Sequence, residues 1–90
     1  MTREEIEEFI EETFPAESLL LADNMDDAFI GVVSDRWGDS PPKVLYSISM
    51  CLKILKEMGM SATEAEEYFS YNIEGAYVGE GTPLFIYTPD

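Results

Sequence analysis

The chain has no histidine, one cysteine and five basic residues, and no apolar run in its 90 residues is long enough to span a bilayer. Without histidine it lacks the side chain that most often serves as general base near neutral pH and as a metal ligand. A single cysteine, Cys51, excludes a disulfide within the chain and a Cys/His zinc cluster. Scarce lysine and arginine exclude a surface complementary to phosphate backbones, so neither direct nucleic-acid binding nor docking on an anionic membrane is expected. The opening residues are acidic rather than basic then apolar, which does not suit a signal peptide. Together these absences lead us to expect a cytoplasmic protein without a cofactor.

What the chain does have is acid. Nineteen aspartates and glutamates give a net charge of -14, enough for self-repulsion to oppose folding and for a basic partner to be attracted. The hydrophobic fraction of 46% still suffices for a core, so a folded single domain over residues 1–90 is expected.

The rest of the chain is organised around Lys43 to Ile73. Lys43-Val44-Leu45-Tyr46 reads as a strand feeding two helices, Ile48 to Met58 and Ala62 to Ile73, joined by Gly59-Met60-Ser61. Ile48, Cys51, Leu52, Leu55 and Met58 fall at the spacing of one buried helical face, where Cys51 acts as a small hydrophobe. Ser61-Ala62-Thr63-Glu64 has the spacing of a capping box. Lys53 and Lys56 suit the negative end of the first of these helices. A second parse places Ser40 as N-cap and Pro41 at the first position of one helix running to Met58.

Upstream, Thr2-Arg3-Glu4-Glu5 repeats the capping-box spacing, and Ile6, Phe9, Ile10, Thr13 and Phe14 mark one face of a helix ending before Pro15. The opposite face carries Glu4, Glu7, Glu8, Glu11 and Glu12. The helix dipole favours acids only in the first turn, and those further along repel one another, so this is either a plain solvated face or, with seven glutamates between Met1 and Glu17, a functional one. Leu19 to Ala22 and Ala28 to Ser34 read as two strands joined by a loop carrying Asp23, Asp26 and Asp27. These carboxylates could ligate a hard cation, but their spacing is not that of an EF-hand, and a surface turn is the better account. Trp37, in the Asp35 to Pro42 loop, either covers one end of the core or anchors a contact. Asn72 to Gly75 supplies residues that tolerate the left-handed conformation at a helix end. Gly79 to Pro83 reads as a turn and Leu84 to Tyr87 as a closing strand. That glycine-containing turn lacks the lysine and following helix of a phosphate-binding loop.

These elements predict an α+β domain, a small, mostly antiparallel sheet of three to four strands with three helices packed mainly on one face.

The order Leu20-Leu21-Ala22-Asp23, Ala28-Phe29-Ile30-Gly31, Tyr46, Cys51, Leu55, Gly59-Met60-Ser61, Glu64-Ala65, Glu67-Tyr68, Tyr71-Asn72, Gly79 and Thr82-Pro83 resembles a group of small, acidic, uncharacterised proteins of bacteriophages and prophages. The likeness spans Leu20 to Phe85 and leaves out the glutamate-rich opening. It departs from the group's pattern at Asn24, where glycine is expected, and at Ser47, where aspartate is expected. Serine keeps the N-cap role and favours a helix starting near Ile48. The resemblance implies a phage or mobile-element setting and no established activity.

Three functions are weighed, and the first is preferred. The first is a non-enzymatic binding protein whose acidic surface occupies a basic, nucleic-acid-binding surface of a host protein. Such a protein is an inhibitor of a defence nuclease or a DNA mimic. Its partner-binding residues are Glu4, Glu7, Glu8, Glu11, Glu12, Asp23, Asp26, Asp27 and Trp37. The second is a structural or assembly module, a homodimer joined through an exposed sheet edge or through Tyr77, Phe85 and Tyr87. The third is an enzyme. Ser47, Ser49 and Ser61 have no visible base to activate them, and paired carboxylates such as Asp26 and Asp27 need a cleft to tune their pKa values. We therefore expect no catalysis.

Overall fold

In a computed structural model the structure describes residues 1–17, 19–34, 41–76 and 82–89. Helix α1 (Arg3–Thr13) is followed by a 3-10 turn at Asp26–Ala28, strands β1 (Phe29–Val33) and β2 (Lys43–Ser47), and helices α2 (Ile48–Glu57) and α3 (Ala62–Tyr68). A π-helical turn at Phe69–Ile73 and a 3-10 turn at Glu74–Ala76 then lead towards β3 (Leu84–Ile86). The α+β class is as expected.

The sheet order is β1-β2-β3, antiparallel between β1 and β2 and parallel between β2 and β3, so the sheet is mixed where a mostly antiparallel one was expected. A parallel neighbour needs a crossover, which α2 and α3 supply. Ile30 is the extra residue of a bulge, since Phe29 pairs with Tyr46 and Gly31 with Leu45.

Ser47 decides between the two parses of the central stretch. Its backbone is extended (φ -84°, ψ 122°) and its Oγ accepts from the Met50 amide at 3.2 Å, so the strand stops and α2 starts there. The single helix from Pro41 to Met58 does not form. Gly59, at φ 104°, turns the chain out of α2 in a conformation costly to any residue with a Cβ. Ser61 and Glu64 then close the expected capping box of α3, at 3.2 and 3.0 Å.

Two expectations fail locally. Leu19 to Ala22 is not a strand: the Ala22 amide donates to the buried Tyr46 hydroxyl at 2.9 Å, and the Ala22 carbonyl accepts from Arg3 Nη2 at 3.0 Å. Side chains, rather than a ladder, satisfy the Ala22 amide and carbonyl, while Leu19 and Leu21 pack on the core. Nor does Asn72 to Gly75 turn left-handed. Among described residues only Asn24 and Gly59 have positive φ, and the chain stays helical through Ala76. The π turn explains the continuation. A four-residue step overshoots an α-helical turn by roughly 40°, and the wider turn after Phe69 brings Ile73 back onto the buried side with Ala65.

The core contains Val44 and Tyr46 of β2, Ile48, Cys51 and Leu55 of α2, and Ala65, Phe69 and Ile73 beyond. Aromatic rings run through it in sequence. Phe9 meets Phe29 edge-on at 6.3 Å, Phe29 meets Tyr46 at 6.2 Å, Tyr46 stacks on Phe85 at 5.7 Å, and Phe85 meets Phe69 edge-on at 5.3 Å. This ladder ties α1 to the π-helical turn that follows α3, across all three strands. Among described residues no helix is long and apolar enough to cross a membrane.

Candidate functional site

The carboxylates are segregated. β1, β2 and β3 contain none, and α2 contains only Glu57 at its end, whereas α1, the 23–27 turn and the stretch from Ser61 to Glu74 hold nearly all the others among described residues. The three lysines lie in β2 and α2. The molecule thus has a neutral-to-basic centre and an acidic flank.

On α1 the capping box forms as its spacing predicts, with the Thr2 amide on Glu5 Oε1 at 2.9 Å and the Glu5 amide on Thr2 Oγ1 at 3.2 Å. The Thr2 backbone bond, then its hydroxyl, hold the Glu5 carboxyl below its ordinary pKa, and Ser61 does the same for Glu64. Ile6 is fully buried and Ile10 packs on the core, while Thr13, expected on that face, is exposed. Glu4, Glu7, Glu8, Glu11 and Glu12 are all exposed, as their pattern requires.

These residues do not form one cluster. Glu7 and Glu11 meet Glu17 around a depression of about 210 Å3 floored by Ile10, Leu19 and Leu21. Glu4, Glu8 and Glu12 border none of the main depressions. Asp26 and Asp27 join Met1, Thr2, Glu5 and Asn24 around another of about 520 Å3. Asp26 is already engaged: its Oδ1 lies 3.1 Å from Arg3 Nη2, and its Oδ2 accepts a long bond from Arg3 Nε at 3.4 Å. Oδ1 has close charge but no aligned hydrogen bond. This pair fastens the head of α1 to the 3-10 turn, so Asp26 is structural as well as acidic. Asp23 and Asp27 are exposed. Asn24 has φ 63°, a conformation that glycine or asparagine adopts at small cost. Trp37 and Tyr77 lie outside the described residues. Phe85, expected at a dimer contact, is instead in the aromatic ladder.

Sequence reasoning passed over a second acidic wall. Glu64, Glu67, Tyr68, Tyr71 and Asn72 follow helical spacing and, with Met60, line a depression of about 350 Å3. Tyr71 is 80% exposed and Tyr68 41% exposed. The periodicity was legible, but tyrosine at such spacing normally signals core.

Burial pushes the Cys51 thiol up to about 12, which keeps it protonated and inert. The Ser47 hydroxyl is shared with Thr88 at 2.7 Å and caps α2. Among described residues no group of three His, Cys, Asp or Glu side chains is placed to hold a metal ion. Compared with known proteins, the chain matches no family model, and no curated protein and no solved structure shows a significant match to it.

Proposed function

We propose that this chain is a non-enzymatic binding protein of a phage-type setting, whose carboxylate flank occupies a basic, nucleic-acid-binding surface of a host protein in the host cytoplasm. One observation carries the reading: the acids are gathered on α1, the 23–27 turn and α3 and are missing from the sheet. Acids kept only to repel other copies could be spread evenly, whereas complementary recognition needs one sign on one side. Glu11 and Glu12 at the far end of α1 also meet an unfavourable helix dipole, which does not favour them for folding.

The test is capture of host proteins at low ionic strength, followed by competition with duplex DNA. A partner that salt releases, that DNA displaces, and that Glu4→Gln, Glu8→Gln and Glu11→Gln together capture more slowly supports the reading. Capture indifferent to salt, DNA and these substitutions overturns it.

A homodimer is the second reading, favoured by the sheet face turned away from the core. Strand alternation puts Val33, Leu45, Leu84 and Ile86 on that face, with Val33 43% and Leu84 and Ile86 each 39% exposed. Light scattering that finds only monomer at high protein concentration in ample salt removes this reading.

A further inference from the structure

The α3 stripe leaves two phenol rings in water that the core does not use, beside two carboxylates three residues apart on the same helical face. A compact metal ion is a poor occupant, because no trio of ligating side chains converges among described residues. A flat organic cation fits better: arginine stacks on aromatic faces while its fork pairs with a carboxylate. The surroundings extend this chemistry. Tyr68 and Asn72 also wall a neighbouring depression of about 240 Å3 with Asp23 and Asn24. Asn24 in turn borders the depression that holds Asp27 and Glu5. Carboxylates thus follow one another from α3, past the 23–27 turn, to the head of α1.

We propose that the groove formed by Met60, Glu64, Glu67, Tyr68 and Tyr71 receives an arginine side chain from an extended, basic segment of a partner protein, which continues past Asp23 towards α1. The guanidinium lies over the exposed tyrosine rings and pairs with Glu67, and Met60 closes the groove at the start of α3. This deepens the proposed function and rests on it, since it names the chemistry by which a basic partner is read rather than merely attracted. Charge alone would not distinguish arginine from lysine; the rings do.

The probes are a fluorescent peptide of alternating arginine and glycine, its lysine counterpart, and spermidine, each titrated against the full chain by anisotropy or competition. The arginine peptide is expected to bind more tightly than the lysine peptide. Tyr71→Ala should weaken the arginine peptide about three- to tenfold and narrow its advantage over lysine. Tyr71→Phe, which keeps the ring, should bind as wild type, and circular dichroism should show both variants folded, because Tyr71 is 80% exposed. Glu4→Gln with Glu8→Gln should weaken both peptides alike. Equal binding of arginine and lysine peptides, spermidine competing as well as the arginine peptide, or wild-type affinity in Tyr71→Ala would overturn the groove assignment alone. If neither peptide binds at low ionic strength, the broader reading falls with it.

Discussion

The central helix and the two flanking helices obey different rules. α2 carries Lys56 in its last turn, where the dipole favours a cation, and it buries Ile48, Cys51 and Leu55. α1 and α3 each bury one residue within their α-helical spans and carry acids to their ends with no base in the last turn. Both flanking helices, and not the central one, open with a complete capping box. Helices that pack little and repel themselves depend more on local start signals, whereas a helix held by the core needs fewer. Stability resides in the centre, and the flank is free to be selected for its surface.

The largest expected effect tests that division directly. Leu55 is fully buried near the C-terminal end of α2, so Leu55→Ala should cost about 2–5 kcal/mol in chemical denaturation. A loss under about 1 kcal/mol would mean that the core can collapse around the deletion and that the centre is not where stability lies. Next is Tyr46→Phe, which removes the hydroxyl accepting from the Ala22 amide at 2.9 Å. The stranded amide should cost about 1–3 kcal/mol, and hydrogen exchange at Ala22 should rise ahead of exchange in α2.

A smaller effect concerns the caps. The Glu64 carboxyl titrates below its ordinary value of 4.5, held down by Ser61. In the unfolded chain it takes up its proton near 4.5, so its stabilisation is complete above that pH and disappears as pH falls through the lowered folded value. The difference in Tm between wild type and Glu64→Ala should therefore be present at pH 7 and vanish at strongly acidic pH. A constant difference across that range would assign the effect to helix propensity instead. Smallest of all, Glu4→Gln, Glu8→Gln and Glu11→Gln combined should leave stability within about 0.5 kcal/mol of wild type, or raise it slightly by relieving repulsion. Marked destabilisation would show that the acidic face contributes to folding after all.

What could be read from the sequence was local. The capping boxes at Thr2 and Ser61 and the exposed face of α1 depend on residues within one turn of each other, and spacing reveals them, whereas the strand-to-helix change at Ser47 competed with a single longer helix that the spacing fitted as well. The parallel pairing of Leu45 with Leu84 and the contact of Arg3 with Asp26 depend on distant residues. Leu19 to Ala22 misled because three leucines resemble a strand, while the Tyr46 hydroxyl that satisfies Ala22 lies far along the chain. Of the candidate site, the acids of α1 and the 23–27 turn were legible as charge. The tyrosine-lined groove was not, because exposure is a tertiary property and tyrosines at helical spacing read as core.

The parallel seating of β3 beside β2 has a kinetic consequence. Its partner strand lies on the far side of both α2 and α3 in sequence, so the stacking of Phe85 on Tyr46 closes a loop that spans both helices. Closing so long a loop comes late among folding events. Until it does, one edge of the central strand stays unpaired, and the nascent domain is open there to misassembly with its neighbours. Like charges on the flank would then keep half-folded copies apart during that interval, a service rendered before any partner is met.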